Sequence, residues 1–168
     1  MKCPTCQSDT PTTSKFCASC GKPIATESDF KTPADVTLSW LKSILDSQGY
    51  STEVRNEDPN TIISKHKDHP NLIVTLKPGG PIITLESPWI LKGVSWSQKK
   101  EFLQTINLAN SINWLCTCFS PEPHDSLQIT TYIYLTERIS SRDILSLIDM
   151  FNNGIYAIFE KSGIKKFS

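Results

Sequence analysis

The amino-acid sequence predicts an α+β fold in which an antiparallel β-sheet is covered by helices. The clearest indication is a strand–turn–strand segment from Trp114 to Leu135, whose second half alternates between apolar and polar residues. Between residues 50 and 90, short β-branched segments are separated by turn residues, and such short connections favour antiparallel neighbours. Apolar residues at helical spacing occur on both sides of the strand–turn–strand segment, so helices are expected to cover the sheet.

The composition is that of a folded protein with room for one ordinary domain and a small module. The chain has 168 residues, is 38% hydrophobic and carries 17 basic against 17 acidic residues. This balance argues against non-specific binding to nucleic acid, which needs a basic surface. Met1 leads into Lys2 without an apolar run, and the longest uncharged stretch, 102–121, holds too many amide and hydroxyl side chains for a bilayer. We therefore expect a soluble cytoplasmic protein with no membrane partner, in a compartment where disulfides are rare.

Residues 1–24 contain four cysteines in two pairs, Cys3 with Cys6 and Cys17 with Cys20. The spacing C-x2-C-x10-C-x2-C lets each pair curl round one cation, and four thiolates form the tetrahedral ligand set that Zn²⁺ prefers in structural sites. Because this segment is too short to bury a core, bound metal would supply most of its folding free energy. The sequence therefore predicts a small zinc ribbon with one structural Zn²⁺ per chain and no open coordination position.

Three other interpretations of these cysteines have less support. Disulfides are disfavoured in the cytosol, and a redox C-x-x-C motif requires a strand–helix setting that this segment does not offer. Binding to nucleic acid would need a positive surface, but Lys2, Lys15 and Lys22 are opposed by Asp9 and by the net charge of a four-thiolate zinc site. A single aromatic residue, Phe16, is also no stacking platform for bases. We expect the ribbon to be structural or to dock on a protein, with nucleic-acid binding as the alternative.

A polar, aperiodic segment, residues 25–32, is predicted to be a short linker to a main domain at 33–168. The first helix of that domain is expected to begin with Thr32 as its cap and Pro33 in its first turn, and to stop at Gly49. Four segments that follow are predicted strands, and the segments rich in proline and glycine between them are predicted turns. These strands are Ser51–Arg55, Thr61–Lys65, Asn71–Leu76 and Ile82–Glu86.

The second helix is expected to begin with a capping box formed by Ser95 and Gln98. Its apolar residues cover roughly 220° of the circumference, which is wider than the contact with one face of a sheet requires. Two interpretations stay open at this point. Either the helix is deeply buried, or the flank that carries Leu108 and Ile112 contacts another protein chain.

The third helix is expected to open at Ser140-Ser-Arg-Asp143 and to be a core helix, because its apolar residues form a one-sided stripe. In its middle, Asn152-Asn-Gly154 is predicted to mark a bend or break, since the glycine costs about 1 kcal/mol in helix propensity. The stripe consists of Ile144, Leu147, Ile148, Phe151, Ile155, Ile158 and Phe159.

The strand–turn–strand segment carries two pairs of side chains with distinct expectations. Cys116 and Cys118 lie on the same face of the first strand, and burial as structural thiols is favoured over a site for a soft metal. Tyr132 and Tyr134 share a face of the second strand, and large amphipathic aromatic residues are typical of contact surfaces. The tyrosine pair therefore becomes a candidate for partner binding.

The histidines do not form a recognisable catalytic motif. His66 and His69 are three residues apart, but a proline follows His69, so surface histidines in a turn are favoured over two ligands on one helix face. His124 and Asp125 lie in a proline-rich turn with no nominated nucleophile, so a catalytic dyad is not expected. The acidic residues are scattered along the chain, and we therefore do not expect an enzyme.

The predicted order of elements is a ribbon, a helix, three or four strands, a helix, two strands and a final helix. With Trp40-Leu-Lys-Ser-Ile-Leu45 in the opening helix and Asn110 and Asn113 before the strand–turn–strand segment, the main domain resembles the YbjN-like family. This resemblance implies the fold of type III secretion chaperones, small α+β proteins that commonly dimerise and hold partner segments, and it implies no catalytic residues. The N-terminal ribbon resembles those found at the ends of many bacterial proteins, although Gln7 stands where many of these have glycine.

Together these observations predict a non-enzymatic protein-interaction or chaperone-like regulatory module that carries a structural zinc ribbon. Leu108, Ile112, Tyr132 and Tyr134 are the predicted partner-binding residues. The expected partner is a protein, and a homodimer is one form that this interaction could take. The alternative function is regulation linked to nucleic acid, with binding through the ribbon.

Overall fold

The computed structural model describes residues 2–3, 5–11, 14, 16–22, 30–78, 82–91, 94–112, 116–121 and 126–167. The strands of the main domain are β1 (Phe30–Lys31), β2 (Ser51–Val54), β3 (Thr61–Lys65), β4 (Leu72–Leu76), β5 (Ile82–Ile90), β6 (Thr117–Phe119), β7 (Ser126–Tyr134) and β8 (Ile139–Ser140). Its helices are α1 (Leu38–Ser47), α2 (Lys99–Ile112) and α3 (Ser141–Lys161). Six strands form one antiparallel sheet in the order β2-β3-β4-β5-β7-β6, which confirms the predicted α+β fold. No helix in this part of the chain combines the length and apolar character needed to cross a bilayer.

The centre of the sheet is the pairing of β5 with β7, which runs from Ile82 opposite Tyr134 to Ile90 opposite Ser126. Because side chains alternate along both strands, one face of the sheet is apolar and joins α1 and α3 in a single hydrophobic core. Tyr132 and Tyr134 project from the opposite face. The buried residues of the core face include Ile62, Leu72, Val74, Ile83, Leu85, Leu127, Ile129 and Ile133.

The third helix, α3, starts at a capping box at the end of β8. The Ser140 hydroxyl accepts from the backbone N–H of Asp143 at 3.3 Å, and the Asp143 carboxylate accepts from the backbone N–H of Ser140 at 2.9 Å. Both contacts satisfy N–H groups that lack a partner within the helix. The predicted start and the predicted buried stripe of this helix are therefore confirmed. The buried members of the stripe are Ile144, Ile148, Phe151, Ile155 and Ile158.

The predicted break within α3 is wrong, because the helix continues through Asn152-Asn-Gly154. Asn152 and Gly154 are both buried, so this part of the helix lies against the rest of the core. The Asn152 side chain donates from Nδ2 to the Tyr50 hydroxyl at 3.1 Å. Packing and this hydrogen bond outweigh a propensity cost of about 1 kcal/mol for a glycine in a helix.

The start of α1 also differs from the prediction. Pro33–Asp35 forms a separate 3-10 turn, and α1 begins after it with Thr37 as its cap. The Thr37 hydroxyl accepts from the Trp40 backbone N–H at 3.2 Å, whereas the Thr32 hydroxyl donates to a carboxylate within the turn. The predicted stop at Gly49 is confirmed, and this glycine has a φ of 83°, which favours a residue without a Cβ.

The bounds of β5 and β6, and the presence of β1, were not anticipated. β5 continues through Pro88, although proline has no backbone N–H to donate. The pairing of β4 with β5 ends at Glu86, so no hydrogen bond from residue 88 to β4 is required. β6 pairs with β7 from Thr117 to Phe119, and Cys116 lies just outside the strand, whereas Trp114 and Leu115 of the predicted strand lie outside the described residues. Within the predicted linker 25–32, residues 25–29 lie outside the described residues, while Phe30 and Lys31 pair with β8.

Candidate metal centre

The two cysteine pairs lie in knuckles that repeat the same backbone hydrogen bond. In the first knuckle, the Cys3 N–H donates to the Ser8 carbonyl at 2.9 Å. In the second, the Cys17 N–H donates to the Lys22 carbonyl at 2.7 Å. Each bond folds the chain back just beyond a C-x-x-C motif, so that the two sulfurs of a knuckle face the same point. Ser8 in the first knuckle therefore corresponds to Lys22 in the second.

Each knuckle is closed by a residue with positive φ. Gln7 has a φ of 60° and Gly21 a φ of 68°, and each donates its N–H to the carbonyl of the first cysteine of its knuckle, at 2.9 and 2.8 Å respectively. Glycine adopts this conformation freely, whereas a residue with a Cβ pays roughly 1–2 kcal/mol. Gln7, which stands where many ribbons have glycine, therefore raises the conformational free energy of this turn but keeps the same backbone hydrogen bond as Gly21.

The four predicted ligand sulfurs converge on one point and lie within 4.8 Å of one another. Two pairs join the two knuckles, with Sγ–Sγ distances of 3.7 Å between Cys3 and Cys20 and 3.5 Å between Cys6 and Cys17. Four thiolates bound tetrahedrally to Zn²⁺ at about 2.3 Å would be about 3.8 Å apart. The cluster is therefore compatible with a metal ion, and its all-sulfur donor set suits a soft or borderline cation.

The thiols differ in their preference for the charged form. A hydrogen bond from the Ser8 hydroxyl, aided by backbone N–H groups, lowers the pKa of Cys17 to about 5. Backbone N–H groups of its own knuckle also lower the pKa of Cys3. A backbone N–H acts in the same direction on Cys20, but partial burial and three neighbouring sulfurs raise its pKa to about 12. Hydrogen bonds to sulfur therefore favour the charged form of Cys3 and of Cys17, which are the two buried cysteines, one in each knuckle.

Ser8 is a residue of this centre that the sequence analysis missed. Its Oγ lies 3.0 Å from Cys6 Sγ and 3.2 Å from Cys17 Sγ, so one hydroxyl contacts a sulfur from each knuckle. The available signal was a hydroxyl residue two positions after a C-x-x-C motif. That signal is weak without coordinates, since serine is common in turns for reasons unrelated to metals.

The other two cysteines lie apart from this cluster. Cys116 and Cys118 are buried in the main domain, which confirms the prediction of structural thiols. Burial raises the pKa of Cys116 to about 11, and burial together with its neighbour raises the pKa of Cys118 to about 12. Both therefore stay protonated near neutral pH, as expected of buried structural thiols.

Asn110, part of the motif on which the family resemblance was based, joins α2 to β6. Its Nδ2 donates to the Cys118 carbonyl at 3.0 Å, and its Oδ1 accepts from the Cys118 N–H at 2.6 Å. The amide thus imitates the hydrogen bonds of a neighbouring strand. The second asparagine of the motif, Asn113, lies outside the described residues.

The four predicted partner-binding residues are distributed over two surfaces. Leu108 on α2 is 47% exposed, while Ile112 is half-buried. Tyr132 and Tyr134 on β7 are 55% and 66% exposed. The wide apolar arc of α2 is thus divided between a buried side and an exposed flank. The buried side consists of Phe102, Ile106 and Ala109.

The histidines at the β3–β4 connection lie in a turn, as predicted. His66 Nδ1 accepts from the backbone N–H groups of Asp68 and His69, at 3.0 and 3.1 Å. The ring of His66 lies 4.8 Å from that of Tyr50, between their centroids. These contacts give His66 a structural part in the turn. His124-Asp125 lies outside the described residues.

No family model matches the chain, and no curated protein matches it in sequence. Among solved structures, its fold is similar to that of YbjN from E. coli, described as a candidate transcription regulator, with a TM-score of 0.60 at 11% identity over 79% of this chain and 95% of that one. It is also similar to an uncharacterized protein from Methanothermobacter thermautotrophicus, with a TM-score of 0.59 at 12% identity over 79% of this chain and 100% of that one. Identities this low establish the fold alone. The chain thus combines a four-cysteine cluster compatible with a metal ion and a main domain with the YbjN-like fold.

Proposed function

We propose that the protein is a non-enzymatic module that binds a protein partner in a chaperone-like or regulatory role. The observation that carries this proposal is an apolar cavity of about 310 Å³ beside Tyr132 and Tyr134, lined also by Leu147 and Met150. Exposed tyrosines and an adaptable methionine are common at protein contact surfaces. Among the residues that the structure describes, those lining the cavity are mainly apolar and include no carboxylate or imidazole, a lining that suits an apolar protein segment.

The ion proposed for the ribbon is Zn²⁺, one per chain, in a structural role. Four thiolates form a closed tetrahedral set, which leaves no position for a substrate or an activated water. Native mass spectrometry of protein purified without added metal is expected to give the mass of one zinc per chain. A metal-free mass, reduced by the hydrogens lost in disulfide formation, would contradict this assignment.

The partner proposed for the exposed flank of α2 is a second copy of this chain. Leu108 is an exposed leucine on α2, next to the buried Ala109, and Ile112 extends the same flank by one turn. A two-fold axis would bring the same flank of both copies together and cover these apolar side chains. The tyrosine surface of β7 would then remain available for a protein segment.

Light scattering after size exclusion tests this arrangement. The double variant Leu108→Glu with Ile112→Glu is expected to be a folded monomer, because two carboxylates on each copy would repel across the axis. Asn107→Glu, an exposed polar position on the same helix, is the matched control and should stay dimeric. A monomeric wild-type protein, or a double variant that loses its circular-dichroism spectrum, would refute the proposed dimer surface.

A second candidate function is regulation through nucleic-acid binding by the ribbon. The description of YbjN as a candidate transcription regulator favours it, and Lys2 and Lys22 are both exposed. This function requires salt-dependent binding that weakens when Lys2, Lys15 and Lys22 are replaced by alanine. Absence of any retardation of DNA or RNA at low salt would eliminate it.

A further inference from the structure

The Ser8 hydroxyl occupies the gap between the two knuckles of the metal centre. Its distances to Cys6 Sγ and Cys17 Sγ, 3.0 and 3.2 Å, are both within the range of a hydrogen bond to sulfur. A thiol on either side could share a proton with this oxygen. Once a metal ion has displaced the protons of all four thiols, however, the hydroxyl is the group that still carries one. Its single proton can then be donated to one of the two sulfurs or shared between them.

The backbone around Ser8 holds this hydroxyl in place. The Ser8 carbonyl accepts from the Cys3 N–H at 2.9 Å and from the Thr10 hydroxyl at 3.3 Å. Thr10 is 5% exposed, so the second contact is shielded from water. The equivalent position in the second knuckle, Lys22, has an exposed side chain. The two knuckles therefore share the same backbone hydrogen bond, and Ser8 adds a side-chain hydroxyl close to the sulfurs in the first knuckle.

We propose that Ser8 is a positioning residue of the metal centre, whose hydroxyl donates to the metal-bound thiolates of Cys6 and Cys17 and slows loss of the ion. This inference rests on the proposed zinc site. Four thiolates on Zn²⁺ carry a net charge of −2, and hydrogen-bond donation withdraws negative charge from the sulfurs. Cys6 is exposed, so its sulfur is accessible to a competing chelator. Donation from Ser8 stabilises that thiolate within the anionic cluster, makes its sulfur less basic and therefore less readily protonated and displaced, and links it to the opposite knuckle.

Zinc transfer to a chromogenic chelator from the full-length protein tests this role. Ser8→Ala is expected to lose zinc roughly 10-fold faster and to bind it roughly 10-fold more weakly, the lower end of the effect of removing an outer-shell partner. Ser8→Thr keeps a hydroxyl and should behave like the wild-type protein. Ser19→Ala removes an exposed hydroxyl from the other knuckle and serves as the control.

Cobalt substitution adds a readout that a general loss of stability would not produce. Without the hydrogen bond, the sulfur donor orbitals rise in energy, so the sulfur-to-cobalt charge-transfer band of Ser8→Ala should move to longer wavelength. A wild-type protein that binds no zinc would overturn the metal centre and the role of Ser8 together. Wild-type zinc binding with unchanged exchange rate, affinity and cobalt spectrum in Ser8→Ala would overturn the role of Ser8 alone, as would a threonine variant that behaves like alanine.

Discussion

Replacement of Asn110 by alanine tests how α2 is attached to the edge of the sheet. The Asn110 amide accepts from the Cys118 N–H at 2.6 Å and donates to the Cys118 carbonyl at 3.0 Å. β6 is the last strand in the sheet order, so on this side the amide stands where another strand would pair. The substitution removes both hydrogen bonds and leaves two main-chain groups of a residue that is 2% exposed without these partners.

The expected cost follows from two opposing terms. Two hydrogen bonds with a net value of about 0.5–1.5 kcal/mol each give a loss of about 1–3 kcal/mol. Alanine recovers up to about 0.7 kcal/mol of this because it has a higher helix propensity than asparagine. The free energy of unfolding should therefore fall by roughly 0.3–3 kcal/mol. Asn107→Ala gains the same propensity at an exposed position of α2 and should be neutral or slightly stabilising.

Urea unfolding at saturating zinc, followed by circular dichroism and tryptophan fluorescence, measures this difference. Asn110→Asp adds a further comparison, because it keeps an acceptor for the Cys118 N–H but places a carboxylate oxygen against the Cys118 carbonyl. It should be no more stable than the alanine variant. If Asn110→Ala unfolds at the same urea concentration as Asn107→Ala, the amide contributes nothing net and the assignment of the α2–β6 attachment is refuted.

Three further predictions concern single side chains. Gln7→Gly should raise zinc affinity several-fold in a competition assay, because it relieves a positive φ of 60° in a ribbon whose folding we expect to be coupled to metal binding. Tyr50→Phe should lower the urea-derived free energy of unfolding by about 1–3 kcal/mol, since it removes the buried acceptor of Asn152 Nδ2. The pKa of Asp58 is lowered by hydrogen bonds from Thr61 and a backbone N–H, so its stabilisation is present above the unfolded pKa and is lost as the pH falls through the folded pKa. Asp58→Asn should therefore show a smaller loss of thermal stability between pH 5 and pH 3 than the wild-type protein.

Each of these has a result that would contradict it. Weaker zinc binding by Gln7→Gly would mean that the glutamine side chain makes a contact worth more than the backbone cost. Unchanged stability of Tyr50→Phe would mean that Asn152 finds an equal partner without the hydroxyl. A pH profile of Asp58→Asn that is parallel to that of the wild-type protein would assign the acid sensitivity to other carboxylates.

The sequence predicted those elements whose signals are local. The capping residues at Ser140, the alternation along β7 and the glycine stop at Gly49 each depend on residues within a few positions of one another, and all three are present. The four cysteines converge as predicted because a repeated C-x-x-C spacing restricts the geometry of each knuckle. In each case the local requirement of the structure, such as a capping side chain or a residue that tolerates positive φ, restricts which residue types can occur at that position in the sequence.

The failures occur where a tertiary contact decides the outcome. Thr32 and Thr37 both precede a helical turn, and the choice between them depends on where the helix must meet the sheet. The continuation of α3 through Gly154 depends on packing and on a hydrogen bond to a residue about a hundred positions away, Tyr50 to Asn152. Ser8 approaches Cys17 only after both knuckles have closed. The local pattern of residue types does not reveal these contacts.

The pairing of β5 with β7 also has a consequence for how the chain folds. Strands β2 to β5 form a meander of successive neighbours, whereas α2 and β6 come between β5 and β7 along the chain. Closing such a long loop costs entropy before any contact compensates for it, so this non-local pairing should form late. During synthesis, β5 emerges well before β7 and presents an unpaired strand edge to other nascent chains. The yield of folded protein should therefore depend on the time between synthesis of β5 and synthesis of β7. Slower translation would lengthen the period in which the edge of β5 is exposed.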